Sequence, residues 1–418
     1  MSNQSQGKFK LLKELFESVY LIEDPYIIKV LAASVINQRI KGDPVWIVLV
    51  APSSSGKTEF INSIANCAGV YPLSSLTSHT FISGQKKGSM ETSLLKRIGN
   101  GIITFKDLTS LLSENREERA VIMAQLREIY DGKLSKSFGT GETIDWKGKI
   151  TVIAGSTYAI HSLKQQYTAM GERFLFYNII QPDRKDSSCR AMENQESGEL
   201  DEKRQTILDN MSEYLNNLIE VPPQEQYPKI SKELRNQLID LANLSTMARS
   251  DVERNYHSQQ MEILEVYPPE YPARFASQLQ NYARSLMIIN WNETGVMELL
   301  PEDEKILDKI ALDSVNKSRR TAMQELSKYD IIETAGLATK LNMPTNTVRR
   351  WLEDLCALEI CDRMKGSGSR GDRWSIKEEY RKIICKFENI NKEGEELIEK
   401  IDNNSIISEE EIREAMKN

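Results

Sequence analysis

Apolar positions along this chain change period twice, and the changes divide it. From residue 8 to 41 they recur at helical spacing: Phe9, Leu12, Leu15 and Phe16 form one stripe, and Ile27, Ile28, Val30, Leu31 and Val35 follow an expected cap at Asp24-Pro25. Gly42-Asp43-Pro44 breaks that pattern. Short apolar runs at 46–50, 102–105, 150–154 and 174–180 then alternate with helical stretches, which predicts a parallel α/β sheet. Residues 133–149 alternate about Gly139-Thr140-Gly141-Glu142, a hairpin signal. Residues 183–203 carry little apolar content and read as a linker or exposed loop. Residues 204–291 are helical in pattern, interrupted at Val221-Pro222-Pro223 and around Pro268 to Pro272. Near the end, residues 331–376 predict a short helix, a turn, a second helix capped by Thr345, and two strands about a Gly/Ser turn at 366–369. Trp351 and Trp374 are expected in the core of that unit.

The junction at residues 45–58 carries the first chemistry. The run Val45 to Val50 feeds Ala51-Pro52-Ser53-Ser54-Ser55-Gly56-Lys57-Thr58, and helical spacing resumes at Glu59-Phe60-Ile61. Strand, small-residue loop and helix in this order form a phosphate-binding loop. Backbone N–H groups of residues 51–59 would converge on phosphates, Lys57 would reach the β- and γ-phosphates, and the Thr58 hydroxyl would ligate Mg²⁺. The first glycine of the usual pattern is Ala51 here, a position that does not need positive φ. ATP and Mg²⁺ are therefore the expected ligands.

Later strands supply partners for that loop. The strand beginning Gly101 ends in Lys106-Asp107, where a carboxylate for Mg²⁺ or for activating water is expected. Matched at its glycine, Lys106 takes the metal aspartate's place and Asp107 the base's; matched by its only acid, Asp107 is the metal ligand and the base lies elsewhere, with Glu114 and Glu117 as candidates. Asp107 is the essential carboxylate in either case. The strand at 150–154 ends in Gly155-Ser156-Thr157, which places Thr157, with Ser156 in reserve, to touch the γ-phosphate or attacking water. Gly171-Glu172-Arg173-Phe174 follows.

This order resembles the AAA+ ATPases over residues 44–180, and the hairpin before the third of these strands looks most like the minichromosome-maintenance branch, including the self-loading helicases of mobile elements and phages. The resemblance implies that Arg173 is an arginine finger reaching into a neighbouring subunit's ATP site. It also implies that the helix after Glu270-Tyr271-Pro272 is a lid helix carrying a sensor arginine at Arg274, with Arg249 and Arg254 weaker candidates. It further implies a homo-oligomeric ring, expected to be a hexamer. The pattern at 331–376 resembles a winged helix, whose second helix would present Asn346, Arg349 and Arg350 to DNA and whose wing would add Lys365 and Arg370. Residues 316–388 hold fifteen Lys and Arg against eleven Asp and Glu, a local positive balance in a chain of net charge −7. Lys86, Lys87 and Lys136, on the insert and the hairpin, are candidates for pore loops on a phosphate backbone.

The expected layout is an N-terminal helical segment (1–43), an AAA+ core (44–185), a helical lid (186–300), an α+β winged helix (301–388) and an acidic tail (389–418). The leading functional expectation is an ATP-dependent DNA motor of the replicative-helicase type, with replication proteins as possible partners. The alternative is an ATP-switched DNA-binding regulator or helicase loader. Five scattered cysteines and three histidines lack metal-ligand spacing, no run approaches the roughly 18 apolar residues of a membrane span, and the N-terminus is polar; a cytoplasmic protein without a membrane partner is expected.

Overall fold

The computed structural model describes residues 7–82, 93–137, 143–160, 173–218, 227, 229–255, 258, 261–366 and 371–385. Its centre is a parallel sheet of β1 (Trp46–Val50), β2 (Val70–Leu73), β3 (Gly101–Phe105), β6 (Ile150–Ser156) and β7 (Phe174–Asn178). The order across the sheet is β2-β3-β6-β1-β7. Four of these strands are the predicted runs. The fifth, β2, was hidden by its length and by Pro72, which a strand tolerates at a sheet edge because it has no N–H to give.

Strands buried on both sides explain why the runs read as continuous apolar stretches. Ile47, Leu49, Ile153, Leu175 and Tyr177 face one layer, built from α1 (Lys8–Val19), α2 (Ile27–Asn37), α3 (Lys57–Asn62), α7 (Leu200–Asn217) and α9 (Ala273–Thr294). Trp46, Val48, Val152, Phe174 and Phe176 face the other, with α4 (Leu94–Ile98), α5 (Arg116–Tyr130) and the hairpin of β4 (Lys133–Ser137) and β5 (Thr143–Lys147). That hairpin pairs antiparallel as the alternation predicts, with Leu134, Ile144 and Trp146 turned inward.

One cap and one segment in the N-terminal half differ from expectation. The Asp24 carboxylate accepts from Tyr26 N–H, but its main bonds are long-range, from the Tyr177 hydroxyl (2.6 Å) and Ile180 N–H (2.9 Å), so it anchors the end of β7. Residues 184–197, expected as a loop, form helix α6 (Arg184–Ser197), capped by Asp183. No α6 residue is buried, so there was no apolar stripe to read; the helix docks by polar contacts, Arg190 to the carbonyls of Glu17 and Ser18 and Asn194 to that of Val19.

The outer edge of β7 is closed by α10 (Pro301–Asp313). Phe176 N–H donates to Ser314 Oγ (3.2 Å), Asn178 N–H to Asp313 (2.8 Å), and Lys309 donates to the Asn178 carbonyl (2.6 Å), so side chains satisfy an edge that would otherwise expose its backbone groups. Burial alone would raise the Asp313 carboxyl, but Lys309 and Arg320 outweigh it and hold it below the ordinary range. Ile306, Leu307, Ile310 and Ala311 of α10 join the sheet core, whereas Leu312 and Val315 join the C-terminal core. That second core contains α11 (Lys317–Ser327), α12 (Thr334–Lys340), α13 (Thr345–Ala357) and a sheet of order β10-β12-β11 (Ile332–Glu333, Arg373–Ile376, Cys361–Met364). Trp374 is fully buried there and Trp351 half-buried. Thr345 is the first helical residue of α13, after Pro344, and makes no capping bond. A two-stranded hairpin, β8 (Val252–Arg254) and β9 (Ile263–Val266), extends from α8 (Lys232–Ala248).

Gly155 marks the tightest point of the central sheet. A Cβ there would lie 2.6 Å from the Lys106 carbonyl oxygen and 3.0 Å from Ile61 Cδ1. Gly155→Ala is therefore expected to destabilise the fold by about 1–3 kcal/mol through overpacking, measured as a fall in the urea midpoint with an unchanged slope.

Candidate functional site

Connections from two neighbouring strands leave the sheet in opposite directions: β1 runs on to β2 at one edge, and β6 passes over β1 to β7 at the other. Open parallel sheets form a ligand crevice at such a switch point, at the carboxyl ends of the strands. Here those ends carry the loop 51–58 and Ser156-Thr157. The Ala51 N–H donates to the Ser156 carbonyl (3.2 Å), which carries the β1–β6 ladder one residue into the loop. Ala51 is buried and does not have positive φ, so a Cβ is tolerated where glycine was expected. The left-handed positions are Ser54 (φ +61°) and Gly56 (φ +80°), and the latter makes the turn into α3.

Pro52, Ser53, Ser54 and Thr58 are exposed along the mouth of this loop, and Ser55 is half-buried. The buried Lys57 ammonium donates to the carbonyls of Ala51 (2.9 Å) and Pro52 (2.5 Å). Burial lowers the Lys57 pKa, and the Asp107 carboxylate opposes that shift, so the two charges lie within electrostatic reach across the crevice. Asp107 is exposed just beyond β3 and accepts from Thr109 N–H (2.8 Å). The Thr109 hydroxyl in turn meets Ser156 Oγ (3.0 Å) and Thr157 Oγ1 (3.4 Å) and accepts from Thr157 N–H (3.1 Å). Asp107, Ser156 and Thr157 are thus joined through Thr109, which the sequence reading missed, with Lys57 within electrostatic reach of Asp107.

Thr58 and Asp107 offer two oxygen donors beside the loop. That set fits Mg²⁺, which keeps several waters and takes the rest of its shell from phosphate oxygens rather than from an all-protein cage. Among the described residues no group of three or more His, Cys, Asp or Glu forms such a cage.

The Glu59 side chain has partners that the sequence did not reveal. Its carboxylate accepts from Arg204 (2.8 Å) and from the Tyr20 hydroxyl (3.0 Å). These residues, with Leu21, Gln181, Arg190 and Asn194, line a cavity of about 380 Å³ that opens onto Ser54–Phe60. Arg204 is the arginine bonded to Glu59 at this loop, and no local pattern revealed it, since 145 residues separate the two.

Arg274 lies in the first turn of α9, as expected, in the same layer as α3 but near Arg173, whose carbonyl accepts from Gln278 one turn further on (2.8 Å). It shares the surroundings of the Tyr130 phenol with Arg173, at the amino ends of the strands. Arg173 immediately precedes β7, whose Phe174 pairs with Trp46 at the start of β1, so roughly 16 Å of strand separates it from the loop. Its guanidinium is buried against Asp131 (3.1 Å) and lies 5.5 Å from the Tyr130 ring centre. Arg274 and Arg173 therefore both lie near Tyr130, apart from the loop 51–58. Arg249 pairs with Glu270 and stacks on Phe275.

On the C-terminal unit, Asn346 and Lys365 are exposed and Arg349 and Arg350 half-buried, with Arg349 3.8 Å from Glu353. Arg254, the weaker lid candidate, bonds Asp354 (2.6 Å) and the Arg350 carbonyl (2.9 Å), pinning the β8–β9 hairpin to α13. Lys136 donates to the Ser78 carbonyl (3.2 Å). Lys86, Lys87, Arg370 and the acidic tail lie outside the described residues.

No protein-family model matches this chain, and no curated protein matches it either. Among the described residues no helix is long and apolar enough to cross a membrane.

Because, among the described residues, Lys57 Nζ bonds carbonyls and a hydroxyl of its own loop, Lys57→Ala is expected to shift stability by less than about 1 kcal/mol. The same variant should lose ATP affinity by at least roughly a hundredfold. Thermal unfolding and binding of a fluorescent ATP analogue check the two halves separately.

Proposed function

We propose that this protein is a Mg²⁺-dependent ATPase of the AAA+ type whose C-terminal winged helix contacts DNA, and that it acts as a ring-shaped, hexameric DNA motor. The observation that carries the reading is the meeting of Lys57, Thr58, Asp107, Ser156 and Thr157 at the switch point of a parallel sheet whose first strand runs directly into the loop. Bound Mg²⁺ would neutralise the β- and γ-phosphate oxygens. Around it, the loop's N–H groups bind phosphate, Lys57 exchanges loop carbonyls for phosphate oxygen, Asp107 faces the reacting end, and the Thr157 hydroxyl orients attacking water. The cavity beside Tyr20 and Arg204 is of a size for base and ribose.

Arg173 and Arg274 support the ring. Arg173 lies a sheet length from the loop of its own chain, and Arg274 shares the surroundings of Tyr130 with it, a placement that suits a role at a neighbour's site. Within one chain Arg173 rests on Asp131, and assembly would exchange that carboxylate for a phosphate. The second reading, an ATP-switched regulator or loader, draws on Lys106-Asp107: a single acid, with a lysine where a second is usual, suits slow turnover.

ATP turnover measured with and without single-stranded and forked DNA, with mass by light scattering, separates the two. A motor turns over faster on DNA as an oligomer; a regulator binds ATP without DNA-stimulated turnover. Arg173→Ala is expected to keep ATP binding and lose roughly a thousandfold in kcat. Mixing it with Asp107→Ala should restore part of the rate through composite sites. Full-rate hydrolysis by a strict monomer would sink the ring.

Charge reversal at Arg349 and Arg350 is expected to weaken duplex binding and to flatten its salt dependence by about one to two units of slope. This is a cleaner test than truncation after Asp330, because α11 packs inside the C-terminal core and would be left uncovered. Salt-titrated fluorescence anisotropy reads the slope directly.

A further inference from the structure

The acid-bearing loop after β3 and the polar loop after β6 are joined through one side chain. Thr109 gives its backbone N–H to Asp107 Oδ1 at 2.8 Å, and its hydroxyl accepts the backbone N–H of Thr157 at 3.1 Å while meeting Ser156 Oγ at 3.0 Å. Ser156 is fully buried and Thr157 half-buried, so the inner end of this chain is fixed and the outer end faces the crevice. A hydroxyl has one proton and two acceptor positions. With the Thr157 N–H on one acceptor position, the Thr109 hydroxyl and Ser156 Oγ have one short bond to share, and the 3.4 Å approach to Thr157 Oγ1 is the weaker contact. The backbone of residue 157 is held, and with it the direction of its side chain. The Asp107 carboxylate is held at the same time by the N–H of the same residue.

We propose that Thr109 is a positioning residue that clasps Asp107 and Thr157 into one unit, so that the carboxylate and the water-orienting hydroxyl keep a fixed separation across the phosphate end of the crevice. The inference rests on the nucleotide reading above and names a residue that reading does not use. Thr109 touches neither nucleotide nor water in this role. Its effect is on the geometry of two groups that do, and misplacing such groups by about 1 Å costs on the order of a hundredfold in rate. Gly155 permits the arrangement, because the close approach of β6 to the Lys106 carbonyl brings the two loops within reach of one threonine.

Thr109→Val keeps the shape and the N–H to Asp107 but removes the hydroxyl; Thr109→Ser restores the hydroxyl. In the full chain with Mg²⁺ and ATP, Thr109→Val is expected to lower kcat roughly tenfold to a hundredfold with affinity for a fluorescent ATP analogue unchanged within about twofold. Thr109→Ser should return kcat to within about threefold of the parent. Turnover by Thr109→Val at the parent rate overturns the inference. So does a parallel loss of affinity, kcat and thermal stability in both variants, which would make Thr109 a structural staple. Failure of the parent chain to bind ATP would instead overturn the nucleotide reading itself, a result that the binding measurement reports before any variant is made.

Discussion

Everything at the candidate site depends on the parallel pairing of β1 with β6. Parallel neighbours end on the same side of a sheet, so pairing Trp46 with Val152 and Val50 with Ser156 delivers two loops to one place. The ladder continues past the strand through the Ala51 N–H and the Ser156 carbonyl, and that bond fixes where the loop begins. A slip of one residue would turn Val48 and Val50 toward the wrong layer, where Leu49 and Ile153 now pack, so burial on both faces enforces the register that aligns the loops. β3 then joins β6 on its other side, with Phe105 opposite Ala154, and sets Asp107 beside Ser156.

How much could be read beforehand follows from what period and composition encode. Strands buried on both faces are written as unbroken apolar runs, so four of the five central strands and the hairpin were legible. The loop before Lys57-Thr58 was legible because its small residues and Gly56, at φ +80°, answer to the local backbone geometry of the turn into α3. β2 was not, because an edge strand of four residues containing Pro72 has no run to show. α6 was not, because a helix without a buried face has no amphipathic signature. Contacts between distant positions were beyond reach: Glu59 with Arg204, Asp24 with Tyr177, and Thr109 with Thr157 join segments that nothing local relates.

Arginine is the residue whose place was hardest to infer, and physical chemistry explains why. A guanidinium offers five donors on a long stem, so its partner is set by tertiary packing more than by neighbours in sequence. Arg204 found Glu59, Arg173 found Asp131 and the Tyr130 ring, and Arg254 found the end of α13. Arg319 reaches the same Asp354 (3.5 Å), and burial lowers its pKa against the pull of that carboxylate. Removing Asp354 would leave the Arg254 and Arg319 charges largely buried and uncompensated, so these two contacts lock geometry more than they add net stability.

The helix α10 has a thermodynamic consequence. Its upper turns are part of the sheet core and its last turn is part of the C-terminal core, with Asp313 held between Lys309 and Arg320 and bonded to the edge of β7. Melting the C-terminal unit would strip one side of α10 and take Arg320 from Asp313, so loss of one core destabilises the other. Cooperativity between folding units arises where they share an element rather than meet across a wet seam. These two units are accordingly one folding unit in the free-energy sense, though their sequences and architectures look like two.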